Sequence, residues 1–235
     1  MAGNAPVPAS TGIVVRKYQA SDLRACAELA AEAWPSRMST ISREDQVAGM
    51  EGYMMSALAA STWAEVLDES GRVVGFLFGR IEKHRKAGVK LVPKQSLISV
   101  ASAFIATRHE RPANILRMIW NVALTELKMS VNRPRSDAEI TMLIVDSAHR
   151  GKGYGRLLVE RFVHAARAAG ASALTVYTDD QSSNWRFYER LGFRRVAEFY
   201  DNISSFWVGR RANGIVYVLN PEPTEPTGPN GRHGC

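Results

Sequence analysis

Eight residues, HRGKGYGR at positions 149–156, constrain this chain more than any other stretch. They stand between a strand-like apolar run, Ile140 to Val145, and a run from Gly155 to Ala169 in which Leu158, Phe162, Ala165 and Ala169 recur with helical spacing. A strand, a glycine-rich turn and a helix form an anion site by elementary geometry. The first N–H groups of a helix have no intrahelical acceptor, and the helix dipole adds partial positive charge there. Glycine lets the backbone approach a ligand with no Cβ in the way. Arg150, Lys152 and Arg156 add full charges. The stretch reads as a pyrophosphate cradle, with a turn that merely tolerates glycine as the bland alternative. Two other phosphate loops are excluded by spacing. GxxxxGK[ST] does not occur, and the glycines at 151, 153 and 155 fall one residue short of GxGxxG.

The residues around the loop narrow the reading. A strand ends in Ile144-Val145-Asp146, RxxGxG follows as Arg150, Gly153 and Gly155, and FYERLGF occupies 187–193. In this order and separation they resemble the acyl-CoA-binding core of the GNAT superfamily of N-acetyltransferases. The resemblance covers about 12–80 and 138–219 and leaves out the segment between. It implies an α/β (α+β) fold class, the GNAT fold: a central, mostly antiparallel, splayed mixed sheet flanked by helices, here with a helical insertion at about 81–137 before the fourth strand. One domain would span the chain.

The resemblance also implies acetyl-CoA as co-substrate, and the lack of any Cys/His pair with ligand spacing predicts no metal. The pyrophosphate would lie on Gly151, Lys152, Gly153, Tyr154, Gly155 and Arg156, with Arg150 beside them, and the pantetheine arm along the backbone of Leu143, Ile144 and Val145. The acceptor, a primary amine, would attack the thioester carbonyl directly in a ternary complex. Tyr188 matches the family tyrosine that serves the leaving thiolate; a thiol near pKa 8.5 and a phenol near 10 make that transfer close to balanced. A buried aromatic with a satisfied hydroxyl is the alternative. Glu139, on the strand leading into the loop and eleven residues before Arg150, matches the catalytic glutamate of histone-type members and is the candidate base. A surface glutamate at a strand start fits it equally. Other members of the family use a residue on the next strand, where this chain has Val176 and Tyr177, or a water chain, and Asp179, Asp180 and His149 stand as possible relays. The chain departs from the family's NxxAxxFY, with Gln181 and Asn184 at the corresponding positions; both remain candidates for cofactor contact.

Elsewhere the pattern predicts a strand at 12–18, a helix over 22–34, a second over 44–60, and a hairpin of 62–67 and 72–80 with a loop somewhat longer than two residues. Gly75 and Gly79 in its second strand predict a bulge or close backbone approach. Strands are expected at 138–146, 173–178, 193–200 and 215–219, with a short helix at 183–190. Residues 1–11 read as a loose arm and the Pro/Gly-rich 221–235 as a disordered tail. The start lacks the cationic and apolar regions of a signal peptide, and two cysteines, Cys26 and Cys235, make no disulfide framework, so a cytoplasmic location is expected, with Cys26 buried.

Net charge is +7, and its placement matters. Between Arg80 and Asp137 lie twelve Lys/Arg and four Asp/Glu, which leaves the rest of the chain at −1. Two amphipathic helices, joined by a polar link at 108–112, are expected there. They could pack on the sheet with a solvated basic face, form an acceptor lid, or contact a membrane surface. Nucleic acid is not expected, since only Trp120 and Phe104 are present for stacking. His84 and His109 lack metal-ligand spacing. Beside the acetyltransferase stands one alternative function, a non-catalytic CoA-binding or membrane-surface module using the basic segment. Monomer and homodimer are both open.

Overall fold

The computed structural model describes residues 12–34, 42–84, 112–181 and 184–220. The arm, the tail and the first helix expected in the basic segment lie outside these residues. In chain order come β1 (Ile13–Lys17), α1 (Leu23–Ala33), α2 (Arg43–Ala60), β2 (Trp63–Glu69), β3 (Arg72–Ile81), α3 (Pro112–Asn132), β4 (Ala138–Val145), α4 (Tyr154–Ala168), β5 (Leu174–Asp179), α5 (Arg186–Arg190), β6 (Arg194–Tyr200), α6 (Asn202–Val208) and β7 (Asn213–Leu219).

Local chemistry explains most of the boundaries. Ser42 caps α2 by accepting the Asp45 N–H at 3.0 Å. Arg16 on β1 grips Asp22 through its two terminal guanidinium nitrogens, Nη1 and Nη2, at 2.7 and 2.9 Å, which fixes the entry to α1. The β2–β3 hairpin is tighter than the sequence suggests. Both strands run further, and the turn is only Ser70-Gly71, at φ +52° and +90°, with Asp68 accepting the Gly71 N–H. Positive φ at both positions matches the right-handed twist of the strands.

The seven strands form one sheet in the order β1-β2-β3-β4-β5-β7-β6, antiparallel throughout except for the parallel pair β4–β5. Each face has its own core. On one, α1 and α2 cover Phe76, Phe78, Met142 and Ile144. On the other, α4 covers Leu77, Ile140, Leu174 and Val176 with Leu158 and Phe162. Gly79 is glycine because a Cβ there would stand 2.4 Å from the Phe162 ring. Cys26 is fully buried, and burial pushes its thiol up to about 12, far from nucleophilic use. Helix α6 has no counterpart in the sequence expectations. It exists because Asp201 accepts the N–H groups of Ile203 and Ser204.

Candidate active site

The site begins where β4 and β5 part. They pair only at Ala138–Leu174, Glu139–Thr175 and Ile140–Val176, yet β4 continues to Val145 and β5 to Asp179. At this point β4 also bulges. Met142 pairs with Phe78 and Ile140 with Gly79, so Thr141 is an extra residue with no β3 partner. Its hydroxyl lies 2.9 Å from that of Ser61. Beyond the bulge, Asp146 N–H donates to Val74 of β3. Alternation therefore turns the N–H and C=O of Leu143 and Val145 away from β3, into the gap. The Val145 carbonyl accepts Arg150 Nε at 3.0 Å. A strand edge with no strand neighbour among the described residues thus faces a wedge-shaped opening, while Ile144 presents its side chain to the α1/α2 core.

The glycine loop sits at the mouth of this wedge, and its three glycines have different jobs. Gly151 and Gly153 have φ of +76° and +86°, and a Cβ on either would meet nothing within 4 Å. They supply the backbone turn and leave open space above it. A Cβ on Gly155 would lie 3.4 Å from the Phe187 ring and 3.8 Å from Val145, so this glycine lets α4 come close to α5 and β4. The first α4 bond runs from Leu157 N–H to the Gly153 carbonyl at 2.9 Å. The N–H groups of Gly155 and Arg156 therefore lie ahead of the first helical bond and point along the helix axis towards the mouth. The Tyr154 side chain is buried in the α4 core, so only its backbone faces the mouth. Lys152 is exposed, and Arg156 pairs along the helix with Glu160 at 2.6 Å. A pyrophosphate fits a turn of this kind, with open glycines, helix-start amides and basic side chains around it.

Glu139 and Tyr188 lie on opposite faces of the sheet. Ala138 and Ile140 point into the α4 core, so alternation puts Glu139 on the other face with Thr175 and Tyr177. There Glu139 is buried, and both its oxygens are taken: Arg80 holds one at 2.9 Å and Arg133, just past α3, holds the other. Burial and the neighbouring Arg80 pull the Arg133 pKa down. Met129, Arg133, Glu139, Thr175, Tyr177 and Val216 line a small crevice here. Tyr188 belongs to the α4-side core, packed edge-on against Phe187 and Phe193. Burial raises its pKa, so the phenol keeps its proton.

The remaining candidates divide. Gln181 opens the turn after β5, its N–H donating to Asp179 at 2.8 Å. Asn184 is exposed, and its carbonyl accepts the Phe187 N–H that starts α5. Asp180 is tied to Asn213 on β7. His149 sits beside the loop with Nε2 3.3 Å from Glu69.

Sequence reasoning missed the arginine pair around Glu139 and a network beside it. Tyr177 donates to Asp201 at 2.5 Å, and the same wholly buried carboxylate accepts from Thr125 of α3 at 2.9 Å and Ser204 at 2.5 Å. Burial and Asp201 drive the Tyr177 pKa far up. A Cβ on Gly214 would touch the Tyr177 hydroxyl at 2.5 Å, so the glycine makes its room. None of these residues belongs to a linear motif.

Known proteins agree with this architecture. The family model described as acetyltransferase (GNAT) family matches residues 23–193. A mycothiol acetyltransferase of Nocardia farcinica is 28% identical over 100 residues, 42% of this chain and 31% of that protein. One of Gordonia bronchialis is 40% identical over 60 residues, 25% of this chain and 20% of its own. The chain thus spans about a third or less of these curated relatives. Among solved structures, an agmatine N-acetyltransferase variant in its apo form shares the fold at TM-score 0.52 and 16% identity, covering 89% of this chain and 100% of the other. SsHAT does so at TM-score 0.52 and 19% identity, covering 90% and 99%. Among the described residues no group of His, Cys, Asp and Glu could hold a metal ion. The family match runs from α1 through the splay and the glycine loop to Phe193, and the chain belongs to the GNAT acetyltransferase family.

Proposed function

We propose that the protein acetylates a primary amine by direct attack on the thioester in a ternary complex. The observation that carries this reading is the β4–β5 wedge with the glycine loop at its mouth. Loop amides from Gly151 to Arg156, with Arg150, hold the pyrophosphate. The gap-facing backbone of Leu143 and Val145 pairs with the pantetheine amides as a partial strand. The thioester then stands between the two faces of the sheet. The amine approaches from the Glu139 face, and the thiolate leaves towards the Tyr188 face, where the protonated phenol can donate.

Glu139 takes the amine's proton only if a guanidinium releases one of its oxygens. A second reading therefore rests on its two ion pairs: Glu139 positions Arg80 and Arg133, and the amine loses its proton to water. The two readings separate in a pH–rate profile. A base role predicts that Glu139→Gln lowers kcat about 100-fold and removes the acid limb, whereas a positioning role raises the acceptor KM and keeps the limb.

The first experiment is a calorimetric titration of acetyl-CoA into the protein and into Gly153→Glu. Micromolar binding, lost in the variant, is expected, because a side chain and a negative charge would enter the open space over the loop. Thiol release with a panel of primary amines then finds the acceptor. A parent protein that fails to bind acetyl-CoA would sink the assignment.

A further inference from the structure

Helix α3 turns its greasy side outwards. Its inward face meets the core through Thr125, which donates to Asp201. Its outward face carries Leu116, Trp120, Leu127 and Val131, which are 68, 65, 61 and 77% exposed. At about 100° per residue these four fall within an arc of about 60°, opposite Thr125, and the stripe runs about 22 Å along the helix. A continuous line of large apolar side chains left open to solvent marks an interaction surface.

The borders of the stripe say what it meets. Arg117 and Lys128 follow one edge in the helical projection. Lys128 lies 5.0 Å from the Tyr200 ring centre, and Arg211 lies over the same ring at 5.8 Å. Tyr200 itself is 40% exposed. Glu126 is the acid on the other edge. An apolar ridge bordered by cations and a tyrosine suits a helix lying in the headgroup layer of a bilayer, apolar side down and cations snorkelling to phosphate. The described charges bordering the stripe point the same way, with Arg117, Lys128 and Arg211 against the single acid Glu126. A second copy seated on this face would bring two such basic borders together and oppose like charges. An anionic lipid surface neutralises them.

We propose that the outward face of α3 docks the protein on an anionic lipid surface, with Leu116, Trp120, Leu127 and Val131 in the acyl boundary and Arg117 and Arg211 on the headgroups. No helix among the described residues is long and apolar enough to cross a membrane, so the contact is peripheral.

The test is co-sedimentation of the full chain with vesicles of phosphatidylcholine alone and with about one third phosphatidylglycerol, at low and high salt. The expected result is binding to the anionic vesicles that weakens with salt, with a blue shift of tryptophan emission that Trp120→Phe reduces. Trp120→Ser with Leu127→Ser should weaken binding by about tenfold or more and leave acetyl-CoA binding, which checks the fold, unchanged. No binding to anionic vesicles at low salt would overturn the proposal. So would undiminished binding by the double variant, or a dimer in sedimentation velocity that the double variant splits into monomers.

Discussion

Asp201 shows what one side chain can hold together without touching the glycine loop. It joins α3 through Thr125, β5 through Tyr177 and α6 through its own cap. Asp201→Ala should cost about 3 kcal/mol or more, because Tyr177, Thr125 and Ser204 lose their acceptor in a dry setting. Tyr177→Phe should cost about 1 kcal/mol. Urea-denaturation midpoints measure both. Asp22 predicts a pH effect. Arg16 hydrogen-bonds its carboxylate and holds its pKa below the usual range. The unfolded state thus takes up the proton first as pH falls. Stability from this pair is complete above the ordinary carboxylate pKa of about 4 and declines as pH drops towards the folded value. Asp22→Asn should flatten that acid limb of the stability curve and lower the plateau. The glycine turn and the buried place of Tyr188 were legible in the sequence because they lie in short linear motifs. Arg80, Arg133 and Asp201 were not, because strand register and a turn bring them to the site from three distant segments.

Elements were legible in proportion to their periodicity. The helices α1 and α4 and the strand β4 fall within a few residues of expectation, since each alternates or repeats over two turns or more. Helix α6 is seven residues long, too short for a period, and only Asp201 before an apolar run announces it. The bulge that leaves Thr141 unpaired falls opposite Gly79, where a glycine inside a strand announces a bulge or a close approach, and both occur there. The bulge follows from pairing with β3, where Gly79 is pressed against Phe162. Gly79→Ala should therefore cost about 2 kcal/mol by forcing the ring aside. The shift of β3 against β4 next to the bulge should weaken acetyl-CoA binding as well, and calorimetry on the variant tests both effects together.

On the scale of the molecule, the sheet is two half-sheets joined by three residue pairs of β4 and β5, with the polar network of Asp201 and the α4 core on either side of the joint. A ligand that fills the wedge adds the contacts the strands do not make with each other. Acetyl-CoA at 100 times its Kd should raise the unfolding free energy by about 2.7 kcal/mol, and Gly153→Glu should show no such gain in a thermal-shift titration. The mixed-sheet architecture was legible through the motif order, but the width of the wedge and the face each group occupies depend on where pairing stops.

The strand order carries a schedule as well as a shape. The last strand synthesised, β7, lies between β5 and β6, both made before it. While the chain is being made, β1 to β4 with α1, α2 and α4 can assemble as soon as they emerge. Until residues 213–219 follow, β6 has no neighbour in the sheet, and β5 has only its three pairs with β4. The half of the site with Tyr188 comes into being last. A nascent chain halted before residue 213 would offer bare strand edges to other chains, where the finished protein offers a groove.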